Sequence, residues 1–335
     1  MKIDVFTHII PPKYRDALYK KADPRFFGEN WDKVIEGTPA LSDMDNRFRV
    51  LEKYEGLSQV LTIASPALEE SSSPENAVYL AKVANDEMAE LVLKYPDKFT
   101  AAVACLPVND IEATLLEAER AIKQLKFKGV QIYTPANGKA IDSPEFMPLY
   151  EEMSRYDLPI WIHPARARNV PDYRSESHSR FYIYQMFGWP YETTAAMVRL
   201  VFSGVFDKFP GIKFITHHCG AMIPYFSERL VVGQDYAETN LQAKWKRALN
   251  KPPIDYFRMF YADTALNGNA AALTCGYEFF GAEHIVFATD FPYDDQKGER
   301  FTREVIKGVE SLKIPAKQKK MIFEGNARKL LHLDK

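Results

Sequence analysis

The 335 residues are 46% hydrophobic and 26% charged, with a formal net charge of −2, the balance of an ordinary globular chain. Near-neutral charge without a basic block argues against nucleic acid or an anionic membrane as the main partner, and no run of about 18 apolar residues marks a membrane-spanning helix. Cys105, Cys219 and Cys275 are far apart and form no CxxC pair, and Met1-Lys2 leads straight into a strand without an apolar leader, so the expected location is the reduced cytoplasm.

The chain begins with a short apolar strand, Ile3-Asp4-Val5-Phe6-Thr7-His8, that ends on a polar tip. Residues 12–42 read as an irregular insertion rich in aromatic, Pro and charged residues. Asp43 to Tyr54 reads as a helix with Ser42 or Asp43 as its N-cap and Gly56 as its stop. Seven further strand-like runs follow: Gln59–Ser65, Phe99–Pro107, Lys128–Tyr133, Pro159–Pro164, Lys213–Cys219, Met259–Thr264 and His284–Phe291. Each is almost continuously apolar, as parallel strands buried on both faces require.

Helical patterns separate these runs: Pro74–Lys94, Asp110–Leu125, Pro144–Arg155, Thr193–Phe206, Ile223–Tyr236 and Ala270–Tyr277, with Arg300–Leu312 and Ala316–Leu331 closing the chain. In Asp110–Leu125 the apolar positions Ile111, Leu115, Ala118, Ala121, Ile122 and Leu125 share one helical face. Eight strands alternating with helices predict a (β/α)8 TIM barrel of the α/β class, formed by residues 1–335 as a single domain. An open doubly wound sheet would need a Gly-rich phosphate turn after the first strand, which Phe6-Thr7-His8-Ile9-Ile10-Pro11 is not.

Active sites of such barrels lie where the strands end. The strand tips here are His8, Ser65, Cys105 or Pro107, Tyr133, His163, His217 with His218, Asp263 with Thr264, and Asp290. Four of the seven histidines thus fall at three strand ends. A lone histidine at a strand end is more often structural than functional. Imidazoles on strands one, five and six converging with a carboxylate on strand eight are what a divalent metal or a proton-transfer site needs. Strand alternation places at most one of His217 and His218 toward the barrel axis and the other toward the helices.

Ordered motifs run almost end to end: Ile3–His8, Asp43–Gly56, Pro159-Ile160-Trp161-Ile162-His163-Pro164, Ser203–Pro210, Thr216-His217-His218-Cys219-Gly220 with Pro224, Phe287-Ala288-Thr289-Asp290-Phe291-Pro292, and Gly325–Leu330. This set resembles the amidohydrolase superfamily, in the amidohydrolase-2 branch of aminocarboxymuconate-semialdehyde decarboxylase and γ-resorcylate decarboxylase. The resemblance implies His8, His163 and Asp290 as metal ligands, and one divalent metal, zinc ahead of manganese. Gly220 and Pro224 set the register that implies His218, with Asp290, as the catalytic acid/base pair. Two departures stand out. Phe6 occupies a position where the family carries a ligand, which leaves three protein donors. Ala221 occupies one where some relatives carry Glu.

A carboxylate substrate suits a guanidinium, and Arg47, Arg166 and Arg168 are the candidates. Phe6 and Tyr293 join the substrate-binding set beside the ligand positions. The aromatic stretch Phe181–Tyr191 could stack on a planar ligand or serve as a packing or dimer surface. His178, His284 and His332 read as non-catalytic, and Glu192 as structural. The expected activity is metal-dependent, non-oxidative decarboxylation of an aromatic or conjugated unsaturated carboxylic acid. The alternatives are a hydrolase or hydratase of the same superfamily and a metal-free small-molecule binder. A homodimer is the assembly that the resemblance implies.

Overall fold

The structure, a computed structural model, describes residues 1–24, 29–244 and 249–333. Eight strand positions follow one another in chain order: β1 (Lys2–Ile9), β2 (Leu57–Ile63), a third position interrupted at Val103 into β3 (Phe99–Ala102) and β4 (Ala104–Cys105), then β5 (Val130–Thr134), β6 (Ile160–Pro164), β7 (Phe214–Thr216), β8 (Tyr261–Asp263) and β9 (Ile285–Val286). All pairings are parallel, forming a three-stranded sheet β1-β2-β3 and a six-stranded sheet β4 to β9. The third strand position itself joins the two sheets on one side, and backbone bonds cross the seam on the other. Val103 N–H donates to Leu61 O and Ala104 N–H to Gly129 O on one side; Val5 N–H donates to Phe287 O and His8 N–H to Phe291 O on the other. This is the expected α/β architecture, and its strands are buried on both faces, as the apolar runs required.

The barrel interior is a cluster of its own: Ile3, Val5, Phe6, Val60, Ala101, Val103, Trp161, Ile215, Val286 and Ala288, floored by Ala327, Leu330 and Leu331 near the chain's end. A register shift in β1 between Asp4 and Thr7 adds one residue to that strand, so both Val5 and Phe6 join the interior. The Trp161 indole lies at the centre and donates to Val5 O at 2.9 Å, pairing a carbonyl in the shifted segment. Gly129 makes room for this ring. A Cβ there would lie 2.3 Å from Pro159 O and 2.5 Å from the indole, at φ +151.

Several boundaries differ from expectation for identifiable reasons. Residues 12–42 are not irregular throughout: they include helices Pro12–Lys21 and Glu29–Gly37, while residues 25–28 lie outside the described residues. The first of these has no side-chain cap of its own. Its first N–H groups are instead taken by the carboxylate of Glu87, from helix Pro74–Lys94, with Lys13 N at 3.0 Å and Tyr14 N at 2.9 Å. Asp43, not Ser42, caps helix Met44–Leu51 through Asp45 N and Asn46 N. The helix expected at Thr193–Phe206 runs from Trp189 to Phe202 and stops before Gly204, whose φ is +76. The helix expected at Ile223–Tyr236 runs from Ser227 to Leu241.

Two strands end early, and both endings shape the site. β7 stops at Thr216 because His218 and Cys219 both take φ +55. β9 stops at Val286, after which side chains replace the ladder. Thr264 Oγ1 accepts from Ala288 N–H and donates to Ala288 O. The buried Asp4 carboxylate accepts from Thr289 N–H at 3.0 Å and from the Thr289 hydroxyl. Among the described residues no helix is long and apolar enough to cross a membrane.

Candidate active site

The strand tips converge as anticipated, but with a different internal order. His8 closes β1, His163 lies in β6, His217 follows β7, Asp263 closes β8 and Asp290 follows β9. One ligand atom from each of His8, His163 and His217 lies within 4.8 Å of the others, and the same holds for His217, His218 and Asp290. His217 and His218 therefore both reach the mouth. Strand alternation does not separate them, because the strand has ended and the chain turns through a left-handed residue. Their rings are 4.0 Å apart.

Asp290 is the hub. Its Oδ1 lies 3.2 Å from both His8 Nε2 and His217 Nε2, and its Oδ2 lies 4.0 Å from His218 Nε2. The partner atoms of each imidazole fix its tautomer. His163 Nδ1 donates to Pro164 O at 2.7 Å, which leaves Nε2 as a lone pair. Thr62 Oγ1 gives its proton to Thr7 O at 3.1 Å, so its 3.4 Å contact with His8 has Nδ1–H as donor. His8 Nε2 is then also a lone pair, and this buried atom has no hydrogen-bond partner. It nevertheless faces a carboxylate oxygen at 3.2 Å. Either a proton on Nε2 or a metal cation shared by the two atoms satisfies that approach.

Protonation follows burial and neighbours. Burial lowers the pKa of His8 against the opposing pull of Asp290, and burial with the neighbouring His8 and His217 holds His163 well below the usual range. Burial and His217 push His218 down to about 4. Burial also disfavours a charged His217, but Asp263 and Asp290 outweigh it and lift this residue to about 10. Burial works against an ionised Asp290, yet His217 and His8 hold it well below the usual carboxylate range. The His217 Nδ1–H donates to Asp263, whose other oxygen accepts from Cys219 N–H at 2.9 Å and Ala265 N–H at 3.0 Å. With both oxygens accepting, Asp263 presents an oriented anion to His217.

A divalent cation suits this donor set. Around a tetrahedral zinc with bonds of about 2.0–2.1 Å, neighbouring ligand atoms lie roughly 3.3–3.4 Å apart, close to the 3.2 Å separations around Asp290 Oδ1. The unpartnered Nε2 of His8 and the lone pair of His163 are nitrogens available to such an ion.

Aromatic rings wall the cluster. Phe6 lies 4.2 Å from His217 and nearly parallel to it, 5.4 Å from His8 and 5.8 Å from His163. Tyr293 is 5.4 Å from His8, Tyr133 is 4.9 Å from His163, and Trp189 is 5.5 Å from His163. The aromatic stretch thus contributes Trp189, while Phe181 and Phe187 remain exposed.

The arginines are placed differently from expectation. Arg47 is fully buried. Its Nε donates to Gln59 Oε1 at 2.7 Å, one terminal nitrogen donates to His8 O and Ala40 O, and the guanidinium lies 4.8 Å from the Phe291 ring. It supports the backbone that carries His8 and Asp290. Arg166 pairs with Glu192 at 2.9 Å beneath Gly188, where a Cβ would come within 2.4 Å of its side chain. The sequence placed His217 and Asp263 at strand tips and Trp189 in the aromatic stretch, but not the bond between Asp263 and His217 or the approach of Trp189 to His163. Adjacent histidines followed by an isolated Asp at the next strand tip were the available signal.

The model of the amidohydrolase family matches residues 3–333. The chain is 30% identical over 308 residues to γ-resorcylate decarboxylase of Polaromonas sp. (strain JS666), covering 88% of this chain and 89% of that protein. It is 26% identical to 2-amino-3-carboxymuconate-6-semialdehyde decarboxylase of Dictyostelium discoideum, covering 100% and 92% of the two chains. A crystal structure of dihydroxybenzoic acid decarboxylase from Polaromonas sp. JS666, with bound manganese and the inhibitor 2-nitroresorcinol, is similar at a TM-score of 0.79 and 26% identity, over 100% of this chain and 97% of that one. Matched from its first strand to its last helix, the chain belongs to the amidohydrolase family, in the branch whose characterised relatives are non-oxidative decarboxylases.

Proposed function

We propose that this protein is a metal-dependent carboxy-lyase that removes CO2 from an aromatic or conjugated unsaturated carboxylic acid. The observation that carries the proposal is the Asp290–imidazole cluster set inside a ring of aromatic walls. It offers a cation site and a proton carrier beside aromatic faces on which a planar acid could stack. His8, His163 and Asp290 would hold one divalent ion, with zinc favoured by the imidazole-rich donors. When bound, that ion supplies fixed positive charge for the substrate carboxylate and a neighbouring oxygen. Arg166 is paired with Glu192, and Arg47 is anchored through Nε and Nη1 with its Nη2 buried and unpartnered; the proposal assigns carboxylate recognition to the cation site.

Asp290 is ionised at rest and enters the reaction as a base. It takes the acidic proton that the substrate brings and returns it to the ring carbon that carries the carboxylate. The C–C bond then breaks, its electron pair restores the conjugated system, and CO2 departs. His218, neutral at rest and 4.0 Å from Oδ2, relays the proton. Phe6, Tyr133, Trp189 and Tyr293 exclude water and hold the planar substrate. The three free cysteines support a cytoplasmic location. Exposed Tyr225, Val232 and Tyr236, beside an apolar groove of about 780 Å³, support a homodimer.

The test is CO2 release from a panel of hydroxybenzoates and muconates in D2O, with the product examined by NMR. Deuterium at the carbon vacated by the carboxylate, and its loss in Asp290→Asn, are expected. Ester or lactone hydrolysis with no CO2 from any acid would overturn the assignment.

A further inference from the structure

Phe6 on the first strand offers a metal no donor, and His217 packs against it. The two rings stack at 4.2 Å with an interplanar angle of 26°, so the residue that cannot ligate a metal packs against one that can. His217 Nε2 lies 3.2 Å from Asp290 Oδ1, the same distance as His8 Nε2 on the other side. A ligand atom of His217 also falls within 4.8 Å of those of His8 and His163. Its Nδ1 is held by the Asp263 carboxylate, which is itself anchored on Cys219 N–H and Ala265 N–H. A carboxylate behind an imidazole is the outer-shell arrangement that orients a metal-ligating histidine and raises its basicity. His218 has no equivalent: its Nδ1 is buried without a partner and its Nε2 lies 4.0 Å from Asp290.

We propose that His217 is a metal ligand in this protein and that Phe6 acts as the stacking platform that sets the plane of its imidazole. The donor set is then His8, His163, His217 and Asp290, and His218 alone remains for proton relay. This rests on the proposed metal dependence and adds to it the identity of one ligand.

Equilibrium dialysis against buffered Zn2+ or Mn2+, with metal content read by mass spectrometry and folding followed by circular dichroism, tests the assignment without any substrate. His217→Ala should weaken metal binding by more than the roughly 10- to 100-fold that loss of a supporting group costs. His218→Ala should bind as wild type does. The double variant Phe6→His/His217→Ala places a donor on the first strand and should recover most of the affinity, which also separates ligand loss from misfolding. His217→Ala binding within threefold of wild type would overturn the assignment, as would equal loss in His218→Ala. Either result leaves the decarboxylase reading intact if the wild type binds metal and releases CO2; a wild type that takes up no metal overturns both.

Discussion

Asp263→Asn is a nearly isosteric change with a consequence that the hydrogen bonds dictate. Asp263 Oδ1 accepts from Cys219 N–H and Ala265 N–H, and Oδ2 faces His217 Nδ1. An amide keeps both backbone bonds only if its oxygen takes the Oδ1 place, so the NH2 group faces His217. Two donors cannot share that contact. His217 must then present a lone pair at Nδ1 and carry its proton on Nε2, the atom 3.2 Å from Asp290. In the wild type a metal displaces the Nε2 proton while Nδ1–H stays on Asp263; in the variant the Nε2 proton is the only one on the ring, and moving it to Nδ1 would set it against the amide NH2. The expected loss is about 10- to 100-fold in metal affinity, or about 1.4–2.7 kcal/mol. Exchanging a hydrogen bond to a buried charged acceptor for a neutral one adds a stability cost of roughly 1–2 kcal/mol. Competition with a chromophoric chelator measures the affinity, and thermal unfolding monitored by circular dichroism measures the stability. A folded Asp263→Asn protein whose metal affinity stays within twofold of wild type would refute the tautomer argument.

Three further outcomes are expected. Asp4→Ala leaves the buried Thr289 N–H and hydroxyl without their acceptor; at about 1–3 kcal/mol per unpaired group, the protein should lose roughly 2–6 kcal/mol in denaturant titration, and turnover should fall because Thr289 precedes Asp290. Gly129→Ala places a Cβ 2.3 Å from Pro159 O in a left-handed backbone, and strain plus overpacking of about 2–6 kcal/mol should appear as a clearly lower melting temperature, with no shift if the Trp161 packing is misread. Glu69 is buried with Oε1 unpartnered, and burial raises its pKa from 4.5 to about 8. Between those values the folded state keeps a proton that the unfolded state has released, so stability falls as pH rises, by up to about 5 kcal/mol at 1.36 kcal/mol per pH unit. Glu69→Gln should remove that slope and melt higher than wild type at pH 8 but not at pH 4.5, and parallel pH profiles would contradict this.

Much of the barrel was legible because its strands are buried on both faces, so continuous apolar runs such as Val130–Thr134 and Ile160–Pro164 mark them directly. Helix Pro12–Lys21 was not legible, because the group that caps it, Glu87, is 74 residues away from Lys13 and comes from another helix. Arg47 was identified as a guanidinium of interest, but its partners are two backbone carbonyls and a glutamine, contacts that no local pattern encodes.

The amino-acid sequence by itself determined the architecture and the strand tips, since strand burial and the ends of apolar runs are local properties. It also showed that Phe6, two residues before His8, carries no metal donor. Only the tertiary structure decided how the tips relate. Alternation in a strand separates adjacent side chains only while the strand continues, and here it ends at Thr216. The left-handed turn at His218 and the bond from Asp263 to His217 then bring both imidazoles to Asp290. That geometry depends on contacts between residues 46 and 73 positions apart, which the folded barrel alone brings together.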